Sequence, residues 1–188
     1  MNLANRFTML RIVLAAAVFA ALLSRDPRWH AVCPPLFLGA MFTDWLDGYL
    51  ARVTKTVSSF GKVADPIADK ILILGTLIAL TQSKDFNIPL WAVFIMVIRE
   101  LIIGGVRVIA GAQGIVLAAD RGGKIKTAIQ LTLIFFMLCI VVLVDYHAAS
   151  AWMARSVYGM SVLCALLSVS SLWSYLRQYR AMLEQSWS

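Results

Sequence analysis

Charged residues are scarce in this chain of 188 residues. Only 14% of the residues are Asp, Glu, Lys or Arg, whereas 61% are hydrophobic. Since soluble domains usually carry about 25% charged residues, this composition excludes an ordinary soluble globular domain. The charges are also clustered, and the long uncharged stretches between them favour helices that cross a membrane.

Histidine and cysteine are scarce as well, with two histidines and three cysteines in the chain. No CxxC pair occurs, and Cys33, Cys139 and Cys164 fall within apolar stretches, which favours packing over metal binding or redox chemistry. His30 and His147 lie near the ends of apolar stretches, across the predicted membrane from the acidic cluster described below. No Ser-His-Asp or Cys-His arrangement is recognisable, so covalent catalysis of that type is not expected.

Six stretches are apolar and long enough to cross a bilayer, whose core is spanned by about 20 helical residues. They cover residues 3–24, 31–52, 64–83, 88–111, 125–145 and 149–176. The first stretch lacks a clear small-x-small cleavage site, so we expect a span there and not a signal peptide. The predicted fold class is therefore all-α: one polytopic membrane domain, residues 1–188, with six transmembrane helices and a polar site facing the cytoplasm.

Lysine and arginine are concentrated on one side of this predicted membrane. With six spans, 13 of the 17 fall on the side that holds both termini, and 4 fall on the other side. Because positive charge favours the cytoplasmic side, both termini are predicted to face the cytoplasm, in the cell (inner) membrane. We expect part of the net charge of +7 to attract anionic membrane lipids and part to bind a phosphorylated substrate. We expect no nucleic-acid partner.

Four aspartates interrupt the apolar sequence at short, regular spacings. Asp44 and Asp47 are three residues apart, and Asp65 and Asp69 are four residues apart. Carboxylates at these spacings project from one face of a helix, so each pair can converge on one point. Ionisable groups within membrane segments are costly and usually functional. Because hard oxygen donors suit Mg²⁺ or Mn²⁺, a metal site is predicted here.

A proton relay, with several aspartates protonated, is the alternative interpretation of this cluster. The neighbouring small residues Gly48, Ala51 and Gly61 favour the metal, because they leave room for a bulky ligand that a proton path does not need. Arg52 adds a forked donor suited to a diphosphate. Since Arg52 is the one arginine expected among the aspartates, ion pairing alone is not expected to neutralise all four carboxylates.

These residues follow the pattern D-x2-D-G-x2-A-R-x8-G-x3-D-x3-D, with every defined position present. The pattern resembles the signature of the CDP-alcohol phosphotransferase family. The resemblance implies a six-helix membrane enzyme that transfers a substituted phosphate from a CDP-linked donor to an alcohol and releases CMP. It also implies that two divalent metal ions are held by Asp44, Asp47, Asp65 and Asp69. The implied CDP contacts are Gly48, Ala51, Arg52 and Gly61, and Asp69 would act as the base.

Three shorter segments resemble the branch of this family that uses glycerol 3-phosphate as acceptor. Residues 2–11 resemble an N-P-N-x-x-T-x-x-R start with Ala4 in place of the proline, residues 98–102 resemble A-R-E followed by apolar residues, and residues 123–127 resemble G-K-x-K-T. Arg99 and Arg107 are two helical turns apart and share a face. By resemblance, the acceptor phosphate would be held by Arg99, Arg107, Lys124 and Lys126.

The predicted reaction is the transfer of phosphatidyl from CDP-diacylglycerol to sn-glycerol 3-phosphate, which gives phosphatidylglycerophosphate and CMP. One alternative is a cardiolipin synthase that uses phosphatidylglycerol as acceptor, and another, from a different class, is a divalent-cation transporter. The small residues beside the aspartates argue against transport. The oligomeric state is left open, with a homodimer among the alternatives.

Overall fold

Six α-helices account for nearly all of the residues that the computed structural model describes, namely 3–24, 26–54, 59–83, 86–112, 121–147 and 150–180. The helices are α1 (Leu3–Leu23), α2 (Pro27–Thr54), α3 (Ser59–Leu80), α4 (Leu90–Ala112), α5 (Arg121–Tyr146) and α6 (Ala151–Gln178). Each helix overlaps one of the six apolar stretches found in the sequence. The prediction of an all-α fold with six helices is therefore confirmed.

Three of these helices are long and apolar enough to cross a membrane, judged by length and composition alone. They are α1 over Asn5–Leu23, α5 over Ile125–Tyr146 and α6 over Ala151–Gln178. Most of the charged residues that carry the predicted site lie on the other three helices, α2, α3 and α4. Those helices combine apolar faces with a polar one, as expected where a site is built within a helical bundle.

The first helix holds the bundle together at the end that carries the aspartates, because α1 packs chiefly against α2 and α3. Ala15 and Val18 on α1, and Cys33 and Ala40 on α2, are buried in the core. Small side chains of this kind let helix backbones approach closely. The second half of the bundle is formed mainly by α6, which packs against α4 and α5.

The second helix begins at Pro27 and continues through Pro34 and Pro35, so the paired prolines lie inside a helix and do not start one. At the beginning of α2, His30 links three elements. Its Nδ1 lies 2.7 Å from Oδ2 of Asp145 on α5, and its Nε2 lies 3.0 Å from the carbonyl oxygen of Ser24. These partners give His30 a structural role at the end of α2 opposite the aspartates.

Candidate active site

The four predicted metal ligands lie on two neighbouring helices. Asp44 and Asp47 are in the C-terminal half of α2, and Asp65 and Asp69 are in the N-terminal half of α3. The side chain of Asp47 is buried, whereas those of Asp44 and Asp69 are 50% and 44% exposed. The helix pair thus forms a carboxylate cluster that is anchored inside the bundle and open on one side.

A buried arginine lies among these carboxylates. The side chain of Arg11, on α1, has no solvent exposure. Its Nη2 lies 3.1 Å from Oδ1 of Asp44 and also contacts Oδ2 of Asp47, and its Nη1 lies 2.9 Å from Oδ1 of Asp69. One guanidinium therefore pairs with three of the four carboxylates and ties α1 to both α2 and α3.

The fourth carboxylate also receives its donor from α1. Thr8, nearly one turn before Arg11, donates its hydroxyl hydrogen to Oδ1 of Asp65. Asn5 and Thr8 are buried as well, so three polar residues at intervals of three form one buried face of an apolar helix. The first helix thus provides a polar partner for every aspartate of the cluster, with hydrogen bonds to Asp47, Asp65 and Asp69 and an ion pair with Asp44.

The expectation that Arg52 is the one arginine among the aspartates is wrong, because Arg11 lies at their centre. Sequence reasoning missed it because Arg11 is on a different helix, far from the aspartates in the chain. A signal was present, since Asn5, Thr8 and Arg11 are polar residues spaced three apart in an apolar span, and polar residues in spans usually face the bundle interior.

The chemistry of the cluster fits a divalent cation, because all four side chains are carboxylates, the donors that Mg²⁺ and Mn²⁺ prefer. The carboxylates also already converge on positive charge. In the present arrangement, however, no three acidic, His or Cys side chains among the described residues are gathered closely enough to hold one ion. The oxygens of the cluster are instead directed at Arg11 and Thr8.

Of the predicted CDP contacts, Gly48 is the one whose surroundings the structure describes. It lies on α2 one turn after Asp44, and a Cβ atom built on it would meet no atom within 4 Å. Gly48 thus borders open space next to the carboxylates. Ala51 and Arg52 belong to α2 and Gly61 to α3, but their side-chain surroundings lie outside the described part of the chain, so their roles stay predictions.

A cavity of about 420 Å³ adjoins the carboxylate cluster between α3, α4, α5 and α6. Asp69 lines it, so one aspartate belongs to both the cluster and the cavity. The polar and charged residues around the cavity are Asp69, Lys70, Arg99, Glu100, Arg107, Thr127, Ser171 and Tyr175. The structure therefore brings two of the predicted acceptor-binding residues, Arg99 and Arg107, to a space that borders Asp69.

Glu100 organises the basic side chains at this cavity. Its Oε1 accepts hydrogen bonds from Arg99 and from Nζ of Lys126, the latter at 3.3 Å. Its carbonyl oxygen lies 3.3 Å from Nζ of Lys70. Lys126 is buried behind this carboxylate and does not line the cavity itself, and the side chain of Lys124 lies outside the described part of the chain.

Two polar groups at the cavity have no hydrogen-bond partner among the described residues. They are the hydroxyl of Tyr175 and Nε of Arg99, and both side chains are more than nine-tenths buried. Arg99 does donate to Oγ of Ser171, at 2.9 Å. Buried polar groups are nearly always paired, so unpaired ones beside a polar cavity indicate a ligand site. Ser171 and Tyr175 are one turn apart on α6, a helix whose apolar sequence predicts no functional residue.

The sequence is similar to that of known proteins. The model of the CDP-alcohol phosphatidyltransferase family matches residues 1–176, and the chain therefore belongs to that family. A relative from Treponema pallidum is 32% identical over 98% of this chain and 92% of its own length. One from Bacillus subtilis is 36% identical over 73% of this chain and 76% of its own length.

A third relative, from Mycoplasma genitalium, is 48% identical over 54% of this chain but only 42% of its own length, so the chain spans less than half of that protein. All three relatives carry the name CDP-diacylglycerol–glycerol-3-phosphate 3-phosphatidyltransferase. The family resemblance drawn from the aspartate pattern is therefore confirmed. The names of these relatives also agree with the branch that the shorter motifs predicted.

The pairing of Glu100 with two cations leads to a stability prediction. Replacing Glu100 with Gln leaves Arg99 and Lys126 facing each other without a counter-charge, and breaking a mostly buried ion pair typically costs on the order of 3 kcal/mol. We expect Glu100→Gln to lower the thermal unfolding temperature measured in detergent. Asp26→Asn, the same chemical change at an exposed position, is the control and should leave it unchanged. Equal stability of the two variants would contradict the assigned role of Glu100.

Proposed function

We propose that this chain transfers phosphatidyl from CDP-diacylglycerol to sn-glycerol 3-phosphate, producing phosphatidylglycerophosphate and CMP. The observation that carries the proposal is the position of Asp69, which belongs to the signature carboxylate cluster and also lines a cavity with basic walls. A donor activated at the cluster and an anionic acceptor in the cavity would meet at this residue. The names of the relatives support the same reaction.

In this proposal the cluster holds two divalent ions, Mg²⁺ or Mn²⁺, through Asp44, Asp47, Asp65 and Asp69. When bound, such ions neutralise the charge of a diphosphate and stabilise the leaving phosphate. Gly48, Ala51, Arg52 and Gly61 would contact the CDP part of the donor. The open space beside Gly48 supports this assignment, because a bulky ligand could approach the α2 backbone there.

The chemical step requires one proton acceptor. The acceptor hydroxyl oxygen would form a bond to the donor phosphorus, the bond from that phosphorus to CMP would break, and the hydroxyl proton would pass to the carboxylate of Asp69. Asp69 lines the cavity that would hold the acceptor, which is the geometric requirement for a base.

The acceptor phosphate would lie in the cavity, close to Arg99 and Arg107. A phosphomonoester carries nearly two negative charges, so its burial requires several donors. Lys126 would contribute indirectly, because it pairs with the same Glu100 carboxylate as Arg99 and so helps to position that carboxylate. Lys124, on the same helix, completes the predicted basic set. The hydroxyl of Tyr175, which has no hydrogen-bond partner among the described residues, is available for the polar glycerol part of the acceptor.

We further propose that all six helices cross the cell membrane, with both termini and the site on the cytoplasmic side. Large apolar side chains such as Leu166 and Trp173 are exposed on the bundle surface, where lipid would cover them. Exposed Phe42, Trp45 and Tyr49 form a stacked row on α2 beside the aspartates. Aromatic rows of this kind favour membrane–water boundaries, which supports a site at the membrane surface. A homodimer is compatible with this arrangement.

The metal site yields the first functional prediction. Asn substitutions of Asp44, Asp47, Asp65 and Asp69, made singly, keep the size of the side chain and remove one ligand charge. Each should reduce CMP release from CDP-diacylglycerol by about a hundredfold or more, as does the loss of a group that stabilises transition-state charge. Excess chelator should abolish the activity of the unmodified protein, and Mn²⁺ should restore it. Activity that survives chelation would contradict the metal-assisted mechanism.

The acceptor site yields the second functional prediction, with two matched tyrosines one turn apart: Tyr175 on α6 and Tyr179 at the C-cap of that helix. Tyr175→Phe removes only the unpaired hydroxyl, so the KM for glycerol 3-phosphate should rise about three- to tenfold, the range expected for one hydrogen bond. Tyr179→Phe, the control, should leave it unchanged, because Tyr179 packs against Tyr175 but does not line the cavity.

Arg107→Gln removes a charged donor and should raise the same KM about tenfold or more, while the KM for CDP-diacylglycerol stays unchanged in both variants. The measurement is CMP release at varied acceptor concentration. If phosphatidylglycerol proves the better acceptor, and these variants use it with full activity, the acceptor assignment is wrong and the cardiolipin alternative is favoured.

A further inference from the structure

Arg11 contacts the carboxylates that a metal ion would need as ligands. Its two terminal nitrogens contact Asp44, Asp47 and Asp69, which are three of the four carboxylates proposed to hold the divalent ions. A carboxylate oxygen that accepts hydrogen bonds from a buried guanidinium is not free to coordinate an ion at the same lone pair. Arg11 and the metal would therefore compete for one oxygen of each of these three aspartates, namely Oδ1 of Asp44, Oδ2 of Asp47 and Oδ1 of Asp69.

The same contacts make Arg11 important for the integrity of the bundle. Carboxylates gathered within a protein repel one another, and removing one partner of a buried pair leaves an uncompensated charge. Arg11 supplies the compensating charge and its forked geometry reaches α2 and α3 together. The contacts of Thr8 with Asp65 complete this arrangement but add no charge.

We propose that Arg11 is a built-in counter-cation for the aspartate cluster, which holds the carboxylates together and is displaced from them when divalent metal binds. The proposal rests on the metal site proposed above and adds a residue to it. It follows that Arg11 weakens the affinity of the cluster for metal while it stabilises the fold when metal is scarce. Metal binding would replace the single positive charge of Arg11 with the charges of two divalent ions, so the carboxylates would be neutralised more fully than Arg11 alone neutralises them.

The test measures Mn²⁺ binding to purified protein in detergent, from the electron paramagnetic resonance signal of the free ion. The decisive variant is Arg11→Lys, which keeps the positive charge but has one ammonium group that cannot pair with three separated carboxylates in the way that the fork does. We expect Arg11→Lys to bind Mn²⁺ about tenfold more tightly than the unmodified protein, the gain expected when competing charge-assisted hydrogen bonds are weakened.

The matched control is Arg6→Lys, the same substitution on an exposed face of the same helix, which should leave the affinity unchanged. A second readout uses Arg11→Met and thermal unfolding. In the presence of chelator, this variant should unfold at a lower temperature than the unmodified protein. Mn²⁺ should raise the unfolding temperature of the variant by more than it raises that of the unmodified protein. If Arg11→Met does not fold even with Mn²⁺, the Mn²⁺ affinity of Arg11→Lys alone tests the proposed competition.

The outcomes separate this inference from the function on which it rests. If the unmodified protein binds no Mn²⁺, the proposed metal site is wrong, and so is the proposed competition between Arg11 and metal. If the unmodified protein binds Mn²⁺, and Arg11→Lys binds it equally or more weakly, the metal site stands and the competition is overturned. Weaker binding by Arg11→Lys would show that Arg11 supports the bound metal instead of competing with it.

Discussion

The ion pairs between Arg11 and three aspartates join the first three helices of this protein. A buried guanidinium is stable only when its charge is compensated, and a buried group of carboxylates needs a cation for the same reason. Arg11 meets both requirements at once and thereby ties α1 to α2 and α3. The close packing of α1 against those two helices, through small and β-branched side chains, is the apolar counterpart of this polar contact.

The second half of the bundle depends on the first through Asp69. That residue is held by Arg11 on one side and borders the cavity between α3, α4, α5 and α6 on the other. Around the cavity, Glu100 keeps Arg99 and Lys126 close together, although two cations would otherwise repel each other. The carboxylate cluster and the basic cavity therefore have opposite charge and share one residue, which is the arrangement that the proposed transfer from a metal-bound donor to an anionic acceptor would need.

Much of this arrangement could be predicted from the sequence, because its signals are local. The spacings of Asp44 to Asp47 and of Asp65 to Asp69 follow helical periodicity, and long apolar stretches predict helices whatever their partners are. Contacts between distant segments could not be predicted in the same way. The pairing of Arg11 with Asp69 depends on how α1 and α3 pack, and α6 looked uniformly apolar although Ser171 and Tyr175 lie at the cavity. Lys126, assigned to the acceptor, instead faces Glu100.

In the proposed function, the carboxylate cluster and the basic cavity form one site that transfers phosphatidyl from CDP-diacylglycerol to glycerol 3-phosphate. The most direct test is product analysis with purified protein, CDP-diacylglycerol, Mn²⁺ and radiolabelled glycerol 3-phosphate. We expect label to enter a lipid with a phosphomonoester headgroup, in a one-to-one ratio with released CMP. Two results would contradict this reaction. One is CMP release without labelled lipid, and the other is CMP release that requires an acceptor other than glycerol 3-phosphate.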